Sequence, residues 1–167
     1  MPNVQLTAKE AKTLKVKKSR NGYGVFALKD FSSDKMLFEV TGKLVTCNED
    51  EPIDEVERAN TYRLNKNWYL SPKGRLADML NHSCTPNAKV FKKEGKLYIV
   101  SLLPILKDSE VVIDYSTILA SDDSWNMHCN CGTDECRKVI KQFTKLPKRL
   151  QVLYRSQRIV PRYILTL

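Results

Sequence analysis

The sequence has no apolar run approaching the roughly 20 residues that a membrane helix needs. Its first ten residues have neither the apolar stretch nor the small-residue cleavage site of a secretory signal. A spanning or secreted protein is therefore not expected. The chain reads as soluble and intracellular, cytoplasmic in a bacterium and nuclear or cytoplasmic in a eukaryote. Cysteine is sparse and odd in number, at positions 47, 84, 129, 131 and 136. That argues against a disulfide scaffold and for reduced thiols or metal-bound thiolates. Internal repeats and low-complexity linkers are also lacking, and 167 residues with 42% hydrophobic content suit one ordinary core, not two.

Acidic residues are missing from 137–167, and this absence locates the formal charge of +9. Arg137, Lys138, Lys141, Lys145, Lys148, Arg149, Arg155, Arg158 and Arg162 lie there, while the other 19 Lys/Arg balance the 19 Asp/Glu. A basic segment of this kind can meet nucleic acid, an acidic protein face or water alone. The aromatic and motif patterns of a dedicated nucleic-acid reader are absent, so a solvated basic face is expected and nucleic-acid binding is not predicted.

Short apolar runs at 23–28, 36–40, 43–46, 68–70, 89–91, 97–102 and 111–115 read as strands, with Glu94-Gly95 as a hairpin turn. Helix is scarce before residue 140. Residues 51–60 suit a short helix or an exposed loop. Residues 147–156 suit a helix that begins at Pro147 and docks on the domain through Leu146, Leu150, Leu153 and Tyr154. The apolar ending 159–167 should be anchored, and Asp122-Asp123-Ser124 reads as a local boundary.

Cys129-Asn130-Cys131-Gly132-Thr133-Asp134-Glu135-Cys136 brings three thiols into eight residues, a spacing that invites zinc. A structural zinc ion takes four protein ligands, and spacing leaves Cys84, Cys47, His128 and His82 as donors for the fourth position. Cys84 and Cys47 are nearly level; His128 is handicapped as the direct neighbour of Cys129. The polar run 78–87, taken alone, is a turn whose Asn, Ser and Thr side chains bond to the backbone.

The order Gly22-Tyr23-Gly24, Asn81-His82-Ser83-Cys84-Thr85-Pro86-Asn87, Glu110-x-x-x-Asp114-Tyr115 and Cys-x-Cys-x4-Cys is similar to the SET domain with its post-SET extension, over about residues 13–140. The resemblance implies a mostly β (α+β) fold of small curled sheets with a knot-like C-terminal strand segment. Its parts would be an N-terminal segment at 1–12, a SET domain at 13–121, a zinc-bound post-SET segment at 122–140 and a basic helical extension at 141–167. It also implies a monomeric protein-lysine N-methyltransferase that uses S-adenosylmethionine on a lysine of a protein, such as a histone or histone-like basic tail. Cys84 would then join Cys129, Cys131 and Cys136 around one structural zinc ion, leaving Cys47 free. Tyr115 would orient the lysine amine, and Tyr62 would lie near the methyl group. Arg20, Asn21, Gly22, Tyr23 and Gly24, with Asn81, His82, Tyr62, Tyr115 and Trp125, would surround the cofactor; Trp125 would cover the adenine or wall the lysine channel.

Some positions depart from the family pattern. Ile113 stands where relatives often carry Phe or Tyr, which leaves the number of methyl groups open. Asp78-Met79 replaces a common Arg-Phe, Arg75 occupies a usual Asn, and the segment between Cys47 and Trp68 is short. The acidic stretch 49–57 is expected to draw a basic substrate. A second reading is a catalytically silent SET module that serves as a protein- or nucleic-acid-binding adaptor.

Overall fold

The computed structural model describes residues 2–46 and 54–166. Cys47 and the first part of the 51–60 helix candidate lie outside them. In chain order the described residues form helix α1 (Ala8–Ala11), β1 (Leu14–Ser19), β2 (Gly22–Ala27), β3 (Met36–Val40), β4 (Lys43–Thr46), helix α2 (Glu55–Ala59), β5 (Tyr62–Arg63), β6 (Trp68–Ser71), β7 (Asn81–His82), β8 (Ala88–Lys93), β9 (Lys96–Ser101), β10 (Glu110–Ile113), β11 (Met127–His128), β12 (Val139–Ile140) and helix α3 (Lys148–Ser156). The seven apolar runs all became strands, with ends shifted by at most two residues. Glu94 and Gly95 both take positive φ in the turn between β8 and β9, as a tight hairpin requires.

Four small sheets result, in the orders β1-β2-β10-β7, β3-β9-β8, β4-β6-β5 and β11-β12. The pairing of β10 with β7 is parallel, joining Val112 to Asn81 and Ile113 to His82. The loop after β7 then clasps β10 through one side chain: Asn87 accepts from the Val112 N–H (2.9 Å) and donates to the Glu110 carbonyl (2.7 Å). Strand β10 is thus held between β2, β7 and that loop, the crossing on which a knot-like core depends.

Five strands, β1, β5, β7, β11 and β12, were hidden in the sequence, the last two being pairs of residues. Four of the six positions in β1 are Lys or Ser, which masks the alternation of Leu14 and Val16. Strand β5 has two residues, and β7 lies inside the polar run that reads as a turn. Helix α1 did leave a signal: Thr7 and Glu10 form a reciprocal capping box.

The main core gathers Leu14, Val25, Leu76, Ile99, Val111 and Ile113. A second core of Ala120, Phe143, Leu146, Tyr154, Ile159, Val160 and Ile164 is built almost wholly from the extension. The predicted helix stripe is therefore docked, with one correction. Leu153 is 43% exposed, whereas Gln151 is buried. The contact face runs through Leu150, Gln151 and Tyr154, where the Gln151 amide donates to the carbonyls of Thr144 (3.1 Å) and Leu146 (2.7 Å). Those carbonyls precede the helix, and a buried leucine in place of Gln151 would leave them unpaired.

Gly24 shows how tightly the first sheet is closed. A Cβ there would fall 2.0 Å from Glu110 Oε1, and that carboxylate accepts from Ser19 Oγ (2.7 and 2.9 Å) and Asn81 Nδ2 (2.7 Å). Gly24→Ala is expected to displace Glu110 and to cost about 1–3 kcal/mol, read as a lower urea unfolding midpoint. An unchanged midpoint would mean that Glu110 moves aside freely.

Candidate active site

Tyr115 opens a single 3-10 turn directly after β10, and its backbone is fixed from two sides. Its N–H donates to His82 Nδ1 (3.1 Å), and the side chain of Asp114 caps the same turn by accepting from the Ser116 N–H (3.0 Å). The Tyr115 hydroxyl donates to the Leu80 carbonyl (2.6 Å), and the Tyr62 hydroxyl donates to the Ala77 carbonyl (2.9 Å). Burial first, then the charges of Glu110 and Asp78, raises the Tyr115 pKa well above its ordinary value. Burial does the same for Tyr62. Both phenols therefore stay neutral donors and acceptors at ordinary pH.

Two cavities meet at this turn. The larger, about 520 Å³, is lined by Tyr62, Asp78, Leu80, Asp122, Asp123 and Trp125 among others. The smaller, about 140 Å³, is lined by Asn21, Asn81, His82, Met127, His128, Cys129, Asn130, Cys131 and Ile140. Tyr115 borders both, and no other described residue does. Asp122 on the wall of the larger cavity is held from behind by Arg63, a 3%-exposed guanidinium that pairs with it bidentately (2.6 and 2.9 Å).

The four cysteines among the described residues, Cys84, Cys129, Cys131 and Cys136, come together beside the smaller cavity as free thiols. Ligand atoms of Cys84, Cys129, Cys131 and His82 lie within 4.8 Å of one another. The Sγ atoms of Cys84 and Cys129 are 3.7 Å apart, close to the roughly 3.8 Å edge of a tetrahedron with 2.3 Å Zn–S bonds. Cys136 stands next to them, its Sγ 3.6 Å from the Cys129 carbonyl oxygen. His82 is the fifth candidate donor, and its hydrogen bonds give it another task. Burial, with a contribution from Arg137 and against the pull of Asp114, pushes its pKa down to about 4, so the ring is neutral. Asp114 Oδ1 is 3.5 Å from Nδ1, longer than the Tyr115 bond, and is already filled by other donors. Nδ1 is then the acceptor and Nε2 carries the hydrogen. Nε2 lies 3.3 Å from Cys84 Sγ, placed to donate to a thiolate.

Arg137 makes the same point from the other side. Its Nη2 donates to Asp114 (2.7 Å), while Nε and Nη1 are buried without a hydrogen-bond partner among the described residues. A metal ion held by the clustered thiolates, a centre of net negative charge, would compensate those donors. The donor set fits a zinc ion.

The structure gathers the predicted residues into distinct groups. Asn21, Asn81, His82 and Tyr115 line the smaller cavity, whereas Tyr62 and Trp125 line the larger one, with the Trp125 and Tyr115 ring centroids 6.2 Å apart. Arg20 borders neither. It lies against Gly132, where a Cβ would sit 2.6 Å from its Cζ, and Asn21 Nδ2 donates to the Asn130 carbonyl (3.3 Å), so this turn meets the cysteine tail. Gly22, Tyr23 and Gly24 belong to β2, and the Tyr23 carbonyl accepts from Asn81 Nδ2 (2.9 Å). Ile113 is fully buried and borders neither cavity. Of the acidic stretch, Glu55 lines the larger cavity, and 47–53 lie outside the described residues. Sequence reasoning missed Met127, His128, Asn130 and Ile140 as lining residues, since position after the boundary was their only signal. It counted Arg137 with the solvated basic run, yet Arg137 is mostly buried and paired, unlike the eight exposed cations that follow it.

No helix among the described residues is long and apolar enough to cross a membrane. The SET domain family model matches residues 22–116. Histone-lysine N-methyltransferase 2D of Homo sapiens is 34% identical over 128 residues, 70% of this chain and 2% of that protein. Histone-lysine N-methyltransferase SETD1A of Homo sapiens is 31% identical over 139 residues, 75% of this chain and 8% of that protein. An H3 lysine-4 specific histone-lysine N-methyltransferase of Saccharomyces cerevisiae is 25% identical over 149 residues, 80% of this chain and 13% of that protein. The chain thus spans only a small part of each relative. The matched segment contains β2, β7, β10 and Tyr115 and covers more than half of the residues, so the chain belongs to the SET-domain family.

Proposed function

We propose that this protein is an S-adenosylmethionine-dependent protein-lysine N-methyltransferase and that Tyr115, which borders both cavities, marks where methyl donor and lysine meet. That shared border carries the reading, and the names of the relatives support it. The cofactor supplies a sulfonium methyl: as the amine nitrogen bonds to it, the C–S bond breaks and a thioether leaves. Asn21, Asn81 and His82 would hold the cofactor in the smaller cavity. At about 140 Å³ that cavity would take part of the cofactor, being below the roughly 300 Å³ of ordinary ligand pockets.

The substrate lysine would enter from the larger cavity, between Tyr62, Tyr115 and Trp125. An ordinary lysine, with a pKa near 10.4, is charged and has no lone pair to give. The buried surroundings of Tyr115 disfavour that charge, as does a neighbouring sulfonium. The Tyr115 oxygen then orients the neutral amine, since displacement requires alignment within about 3–3.5 Å rather than acid or base power. Glu55, Asp78, Asp122 and Asp123 on the cleft wall suit a basic segment such as a histone-like tail. Cys84, Cys129, Cys131 and Cys136 would hold one zinc ion that ties the tail to this site, with His82 donating to Cys84.

Tyr115→Phe is expected to cut methyl transfer about 100-fold while leaving cofactor affinity within a few fold, measured with labelled S-adenosylmethionine and core histones or a cell lysate. Equal labelling by both proteins would end the role given to Tyr115 and leave the cleft as a binding surface only. Metal analysis tests the ligand set separately. Cys136→Ser should weaken zinc binding by more than roughly 100-fold, whereas His82→Ala should weaken it by about 10- to 100-fold, as the loss of an outer hydrogen bond does. Retention of zinc by Cys136→Ser together with its loss from His82→Ala would make the imidazole the fourth ligand.

A further inference from the structure

The Asp114 carboxylate is 1% exposed, lies next to Tyr115 and depends on residues that enter from beyond the matched domain. Oδ1 accepts from Ser116 N–H (3.0 Å) and Arg137 Nη2 (2.7 Å), and Oδ2 accepts from the Tyr154 hydroxyl (2.8 Å). Tyr154 lies on α3 and is anchored in the second core, while Arg137 follows the last cysteine of the tail. None of the three borders either cavity.

We propose that Tyr154 and Arg137 are positioning residues for Tyr115, so that the docked C-terminal extension sets the rate of methyl transfer without touching either substrate. The claim about rate rests on the role given to Tyr115 above; the claim about position does not. The Tyr115 turn is clamped between His82 on one side and the Asp114 cap on the other. A buried carboxylate that loses a donor is drawn toward another, and any such rotation moves Oδ1 off the Ser116 N–H that it caps. Reorientation of Asp114 would therefore shift the turn that carries the Tyr115 ring, and displacements near 1 Å can lower a rate by about 100-fold. Arg137 holds the other carboxylate oxygen through Nη2, so Oδ2 has the Tyr154 hydroxyl as its donor in this geometry.

Tyr154→Phe tests this, since it keeps the ring and its packing and removes only the donor. Ile159→Val serves as the comparison: it loosens the same core without reaching Asp114. In Tyr154→Phe, hydrogen exchange at the amides of Tyr115, Ser116 and Ile118 should quicken by about tenfold. With labelled S-adenosylmethionine and core histones, kcat should fall roughly 5- to 30-fold while both KM values and zinc content stay within about twofold. Ile159→Val should leave exchange at those amides and kcat near the parent values even where its unfolding temperature drops equally. Unchanged exchange in Tyr154→Phe, or equal changes in both variants, overturns the proposal. Faster exchange in a protein whose parent form transfers no methyl group would preserve the positioning and remove the methyltransferase reading.

Discussion

Two residues of parallel pairing between β7 and β10 set the geometry on which the rest of the site depends. Backbone bonds over so short a stretch contribute little by themselves, on the order of 1 kcal/mol each. The pairing persists because side chains surround it: Asn87 completes the ladder on one edge, and Asn81 bridges the Tyr23 carbonyl and the Glu110 carboxylate on the other. Once the strands are in register, Asn81 faces the smaller cavity, His82 lies under Tyr115, and Cys84 starts the thiol cluster two residues later. A shift of one residue would turn all three to the opposite side.

The chemistry around that pairing is a problem of buried charge. Asp114 is removed from water, and a lone carboxylate there would be costly. Arg137 answers it, yet burial works against the guanidinium as well; the Asp114 carboxylate more than offsets this and keeps the Arg137 pKa above its ordinary value. The same arginine brings its backbone N–H to Cys84 Sγ (3.4 Å). It therefore stands between two negative centres, the carboxylate and the thiol cluster, and couples the cysteine tail to the tyrosine turn. Tyr154, raised in pKa by burial and then by Asp114, serves as a neutral donor to the other oxygen.

Much of this was legible in the sequence where the signal is local. Alternating apolar runs gave the larger strands, Glu94-Gly95 gave its hairpin, and the three tail cysteines announced a metal-capable loop. The Asn81-His82 and Asp114-Tyr115 motifs located the centre of the site. Lost to sequence reading were contacts whose partners lie far apart in the chain. Nothing about Arg137 in a run of nine cations sets it apart from Lys138, because its burial is decided by Asp114, 23 residues earlier. Leu153 and Gln151 exchanged their expected places for a similar reason: the unpaired carbonyls of Thr144 and Leu146 needed a donor on the buried face. The imidazole of His82 was visible as a residue, but its tautomer is set by the Tyr115 N–H.

The separation of those partners along the chain has a consequence for how the molecule comes into being. Asp114 acquires Arg137 and Tyr154 only from segments 23 and 40 residues further on, and Cys84 meets Cys129 across 45. During synthesis from the N-terminus, the strands of the first sheet can assemble while the tyrosine turn is still unsupported. Asp114 has all its donors only once α3 has emerged and docked, so an incomplete chain carries the Asp114-Tyr115 motif without the contacts that surround it.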